Sequence, residues 1–156
     1  MLLRIAVAAS ILALAACGGS GSKDAKTTTA GSELPPGCSV EDVDRIVTAF
    51  LREPDLAPPS FFQVYASYES DGRAFVSRKR AKAMAHLRLR RMLGELDRLI
   101  ELRVSPQDVN HVRITFRTTR YAPDFAKRGV RGRLAAGGGT IDCAHGKVAA
   151  WAQRGP

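Results

Sequence analysis

Apolar and polar positions change their spacing several times along the chain, and each change marks a predicted element. Val40, Val43, Ile46, Val47, Phe50 and Leu51 recur at helical spacing and form one apolar stripe. Ser39 suits the N-cap of that helix, Glu41 and Asp42 suit its first turn, and Pro54 ends it. The stretch PPSFFQVYASY predicts a strand with Phe62, Val64, Ala66 and Tyr68 on one face, followed by a turn at ESDG. From about Phe75 to Leu93 there is no Pro or Gly, and the Ala, Arg, Leu and Met content predicts a helix stopped by Gly94. Its apolar strip is narrow and includes Ala81, Met84, Ala85, Leu89 and Met92.

Leu96, Ile100, Leu102 and Val104 alternate and predict a strand, although Leu96, Leu99, Ile100 and Val104 also suit a helix. In NHVRITFRTTRY the alternation is clean. Val112, Ile114, Phe116 and Thr118 face one way, and His111, Arg113, Thr115, Arg117 and Thr119 the other, as in a half-buried antiparallel strand. Residues 122–138 are expected to form a long loop, and GTIDC-AHG-KVAAWAQ two strands across a tight turn. The order is helix, strand, helix, then antiparallel strands. It predicts an α+β domain in which helices cover one face of a curved sheet.

The N-terminal segment is of another kind. Arg4 is followed by twelve apolar or small residues, Ile5 to Ala16, too few for a bilayer span of about 20 residues. A positive start and a short apolar centre describe a secretory signal. Leu14-Ala15-Ala16-Cys17 resembles the lipobox of bacterial lipoproteins. That resemblance implies cleavage before Cys17 and its acylation, with residues 1–16 as signal peptide. It implies an extracytoplasmic protein, held on the cell membrane through the lipid. Residues 17–36 are rich in Gly, Ser, Thr and Pro and are expected to be a flexible tether, with the folded domain at 37–156. With Cys17 set aside, Cys38 and Cys143 remain. An even pair in an exported chain suggests a disulfide; two buried free thiols is the other reading.

The formal net charge of +9 is unevenly distributed. Residues 37–71 hold seven acids against Arg45 and Arg52, residues 72–94 hold eight bases and no acid, and residues 111–133 hold seven bases against Asp124 alone. Export argues against nucleic acid as the partner. An anionic envelope polymer, lipid headgroups or an envelope protein are the partners within reach. Arg78, Arg80, Arg88, Arg90 and Arg91 are the expected contacts with an anionic partner.

The opening helix, FFQVYAS, RRMLGELDRL, the strand with His111 and Arg120 near its ends, and GGGTIDCAHGKVAAWA together resemble the nuclear transport factor 2-like superfamily. The resemblance implies a cone-shaped α+β domain with a strongly bent antiparallel sheet. The short interval between Phe50 and Phe61 departs from members that carry a second helix there, and implies a more open cone mouth. Relatives in that superfamily include isomerases, dehydratases and hydrolases as well as binding proteins, and no catalytic motif transfers. Proton transfer in a cone needs an inward carboxylate or histidine beside an oxyanion-stabilising group. The candidates are Tyr65, Tyr68, His86, Glu95, His111 and Asp142, on separate elements with no shared spacing. No metal or cofactor is expected: the histidines lie far apart, and AAGGGT lacks the lysine and following helix of a phosphate loop. The sequence thus favours a non-catalytic binding domain, with a small isomerase, dehydratase or hydrolase as the alternative.

Overall fold

The computed structural model describes residues 26–29, 33–68 and 72–155. The expected signal peptide, residues 1–16, and Cys17 lie outside them. The chain runs β1 (Lys26–Thr29), α1 (Val40–Arg52), β2 (Val64–Tyr68), β3 (Ala74–Ser77), α2 (Arg80–Met92), β4 (Leu96–Pro106), β5 (His111–Tyr121), α3 (Pro123–Lys127), β6 (Arg133–Asp142) and β7 (Lys147–Arg154). This is a mixed α+β domain on one seven-stranded sheet in the order β1-β4-β5-β6-β7-β2-β3. The sheet is not wholly antiparallel: β1 pairs with β4 and β2 with β7 in parallel. Bulges at Leu99/Glu101 and Thr140/Ile141 interrupt the long ladders, where they add bend and twist.

The helix α1 begins with a capping box. The Asp42 amide donates to Ser39 Oγ at 3.1 Å and the Ser39 amide to Asp42 Oδ2 at 3.3 Å. Its stripe buries Val43, Val47, Phe50 and Leu51 against the sheet. The strand β5 presents Val112, Ile114, Phe116, Thr118 and Arg120 inward. At the centre Phe116 stacks on Trp151 with centroids 3.9 Å apart, and Phe50 lies 4.9 Å from the same indole. Gly137 makes room for this: a Cβ there would sit 2.2 Å from the Ala152 carbonyl oxygen and 2.5 Å from the Phe116 ring. Cys38 and Cys143 form a disulfide across 105 residues, joining the approach to α1 with the β6–β7 turn.

Several expectations are corrected. Phe75–Ser77 belong to β3, so the basic helix is shorter than its composition suggested. It also packs a different face: Ala83, Met84, His86, Leu87 and Arg90 are buried, whereas Ala81, Ala85, Leu89 and Met92 are exposed. In β2 the inward residues are Tyr65 and Ser67, not Val64, Ala66 and Tyr68. The expected 122–138 loop contains α3 and the first half of β6. Lys26–Thr29, inside the expected tether, form an edge strand. In each case the tertiary partner overrides a local pattern.

Candidate functional site

The inward faces of β2, β4, β5 and β7 converge with α2 on a buried polar cluster. Arg90 comes from the last turn of α2. Its Nε donates to Glu95 Oε2 at 2.7 Å, and its Nη1 to Tyr65 Oη at 3.1 Å and Ser67 Oγ at 2.9 Å. Gly94, at φ +79, lets the chain reverse so that Glu95 returns beneath α2. Arg120, with no solvent exposure, donates to Asp97 Oδ1 at 3.0 Å and Oδ2 at 3.1 Å, to Ser67 Oγ at 3.3 Å, and to the Tyr68 carbonyl and Gln153 Oε1. Gln153 in turn donates to Thr118 Oγ1 at 2.9 Å. Two guanidinium groups thus face two carboxylates, with Asp97 between Arg90 (3.8 Å) and Arg120.

His86 borders the cluster. Its ring stacks parallel on Phe75 at 3.8 Å and lies 5.9 Å from the Tyr65 ring. Burial, and then the positive charge of Arg90, lower its pKa to about 4 against a weaker opposing pull from Glu95. It is therefore neutral across the physiological range.

A narrow cleft opens on this cluster between α1 and α2, lined by Leu51, Pro54, Leu87, Arg91, Glu95 and Trp151 among others. Counting its open mouth it encloses about 330 Å³, but its interior has room for only one or two waters. The chemistry this arrangement supports is charge compensation, with every carboxylate of the cluster already engaged by arginine.

The six candidate residues divide evenly. Tyr65, His86 and Glu95 come together around Arg90. His111 lies beside Asp108 in the β4–β5 turn, with Nδ1 2.8 Å from Oδ1. Asp142 is buried but serves the β6–β7 turn, where it accepts from the His145 amide and faces His145 Nδ1 at 2.7 Å. Tyr68 is partly exposed and enters the cluster only through its carbonyl. Sequence reasoning missed Arg120, Asp97, Ser67 and Gln153 as cluster members. An arginine on the apolar face of β5, in phase with Val112 and Phe116, was the available signal.

The five arginines expected to meet an anionic partner do not form one surface. Arg90 is buried. Arg80 is held by Asp55 at 3.0 Å and by the carbonyls of Leu56 and Ala57. Arg78 and Arg88 are exposed and Arg91 is half-buried on the cleft. Arg80 and Arg90 are therefore removed from that surface, because acids outside α2 claim them. Arg98, Arg103, Arg113, Arg117 and Arg154 instead stand exposed on the outer face of the sheet, with Glu101 accepting from Arg103 at 2.8 Å. Among the described residues no three His, Cys, Asp or Glu side chains gather as a metal site.

No protein-family model matches the chain. No curated protein matches it. Among solved structures it is similar to a "putative polyketide cyclase" of Xanthomonas campestris pv. campestris, with 14% identity and a TM-score of 0.43 over 74% of this chain and 91% of that one. A likeness of that degree carries no argument about this chain.

Proposed function

We propose that the chain is a lipid-anchored, extracytoplasmic binding domain of the nuclear transport factor 2-like kind, acylated at Cys17, that works through its exterior and not through a substrate pocket. The observation that carries this reading is the filled interior. Arg90, Glu95, Asp97 and Arg120 satisfy one another where a ligand would otherwise sit, and the cleft above them takes one or two waters. The lipobox at Leu14–Cys17 supports the location, and the cysteine pair supports an oxidising compartment. The partner is then an envelope protein or an anionic envelope component that meets the exposed arginines.

One observation favours a second reading, a small isomerase-, dehydratase- or hydrolase-type enzyme. Tyr65, His86 and Glu95 are buried together beside an arginine, as proton-transfer sites require. Native mass spectrometry of the protein, extracted from its envelope in mild detergent, separates the two. The binding reading expects an acylated chain that carries a macromolecular partner and retains no small molecule. One small molecule retained per chain, and lost on Tyr65→Phe, would overturn the binding reading in favour of the enzyme.

A further inference from the structure

One end of the sheet carries apolar side chains that the fold does not cover. Met92 is 84% exposed, Leu93 59%, Leu134 57%, Leu89 52%, Leu96 51% and Tyr121 37%. The Gly94 turn and the strand register bring them to one end of the sheet, the α2 residues on its inward side and Leu96, Tyr121 and Leu134 on its outer face. Leu89, Met92 and Leu93 end α2, Leu96 begins β4 directly after the Gly94 turn, Tyr121 is the register partner of Leu96, and Leu134 pairs alongside Thr119. A group of this size at one tip marks an interaction surface more than scattered exposure does.

Its surroundings are basic. Arg88 on α2, Arg98 on β4, Lys127 and Arg128 at the end of α3, and Arg131 between α3 and β6 are exposed. The nearby carboxylates are already engaged: Glu95 and Asp97 are turned inward to Arg90 and Arg120, and Asp124 faces Lys127 at 3.4 Å. Apolar side chains rimmed by bases suit the boundary between anionic headgroups and acyl chains.

The direction of β1 sets the end from which the N-terminal segment arrives. Lys26 pairs with Glu101 and Thr29 with Val104, in parallel, so the chain enters β1 from the Leu96 end of β4. Cys17 precedes Lys26 by nine residues, which span at most about 30 Å. We infer that this end docks on an anionic lipid surface, with Met92, Leu93 and Leu96 in the headgroup–acyl boundary and the arginines against phosphates. The inference rests on the acylated Cys17 of the proposed function for the nearness of the membrane; the apolar tip and its basic rim carry the rest.

All the described residues of the fold lie between 26 and 155. The chain from residue 17 onward with Cys17→Ser therefore keeps it, and carries no acyl group to bind lipid independently. It is sedimented with vesicles of phosphatidylcholine alone and of phosphatidylcholine mixed with phosphatidylglycerol. The expected result is binding to the mixed vesicles that falls with added salt and weakens at least about tenfold in Met92→Glu/Leu93→Glu. Val109, 80% exposed in the turn at the opposite end of β4, gives the control: Val109→Glu leaves binding unchanged. No binding to mixed vesicles, or equal loss in Val109→Glu, overturns the proposal. Acylation is read separately, from the intact mass of the protein isolated from its membrane. An acylated chain whose soluble form ignores vesicles refutes the docking surface alone. An unacylated chain that binds through Met92 and Leu93 refutes the anchor alone.

Discussion

Replacing Arg120 by methionine tests whether the interior is held by charge compensation. Arg120→Met keeps an unbranched apolar stem but is shorter, and it removes the guanidinium with its five donated hydrogen bonds, two of them to Asp97. Asp97 would then keep Arg90 at 3.8 Å and Gln153 at 3.3 Å, both weaker contacts than the pair it lost. Stranding one member of a buried ion pair costs about 3–5 kcal/mol. That is about a fifth or more of the roughly 5–15 kcal/mol that holds a typical domain folded. Urea unfolding, followed through the buried Trp151 and by circular dichroism, measures it. The double variant Arg120→Met/Asp97→Leu removes both charges and should be more stable than Arg120→Met by at least about 1 kcal/mol, because the residues act as one unit. A single-variant cost below about 1 kcal/mol, or costs that simply add in the double variant, would refute the reasoning.

Two further outcomes follow from the same structure. His86 has a folded pKa near 4, below the unfolded value of 6.5, so the unfolded chain binds the extra proton; stability should fall as pH drops from about 6.5 toward 4, by on the order of 2–3 kcal/mol, and His86→Phe should flatten that part of the profile in pH-dependent urea titrations. Reducing the Cys38–Cys143 bond, or replacing both cysteines by serine, frees a loop of 105 residues and should lower stability by about 4–5 kcal/mol in the chain-entropy model; an unchanged urea midpoint under reductant would count against a structural bridge.

Elements whose burial is apolar were legible from the sequence. The stripe of α1 and the alternation of β5 depend on Val, Ile, Leu and Phe at fixed periods, and both pack the faces those periods indicate. Reading failed where the interior is polar. The buried face of α2 carries His86 and Arg90, and that of β2 carries Tyr65 and Ser67. A search for the apolar side therefore selects the wrong one. Glycine misled in β6: Gly137 reads as loop, yet it is where the sheet closes over Phe116 and the β7 backbone. The basic surface failed for a related reason. Arg80 and Arg90 look free at the two ends of α2, but Asp55, 25 residues upstream of Arg80, and Glu95 beyond the Gly94 turn draw them inward. Of the candidate site, the sequence offered Tyr65, His86 and Glu95 as separate possibilities; the Gly94 stop was legible, but their meeting also depends on the β2–β7 pairing, which has no local signature.

The parallel pairing of β1 with β4 has a mechanical side. A pull on the N-terminal segment, directed along β1 toward the Leu96 end, acts along the strand axis and not across it. All four register pairs of the short ladder then bear the load together, in shear, and do not open one after another as a zipper would. Where the chain joins the domain, four residues thus act as a force-bearing clasp, and tension on the segment before Lys26 reaches the sheet through β4 before it reaches α1.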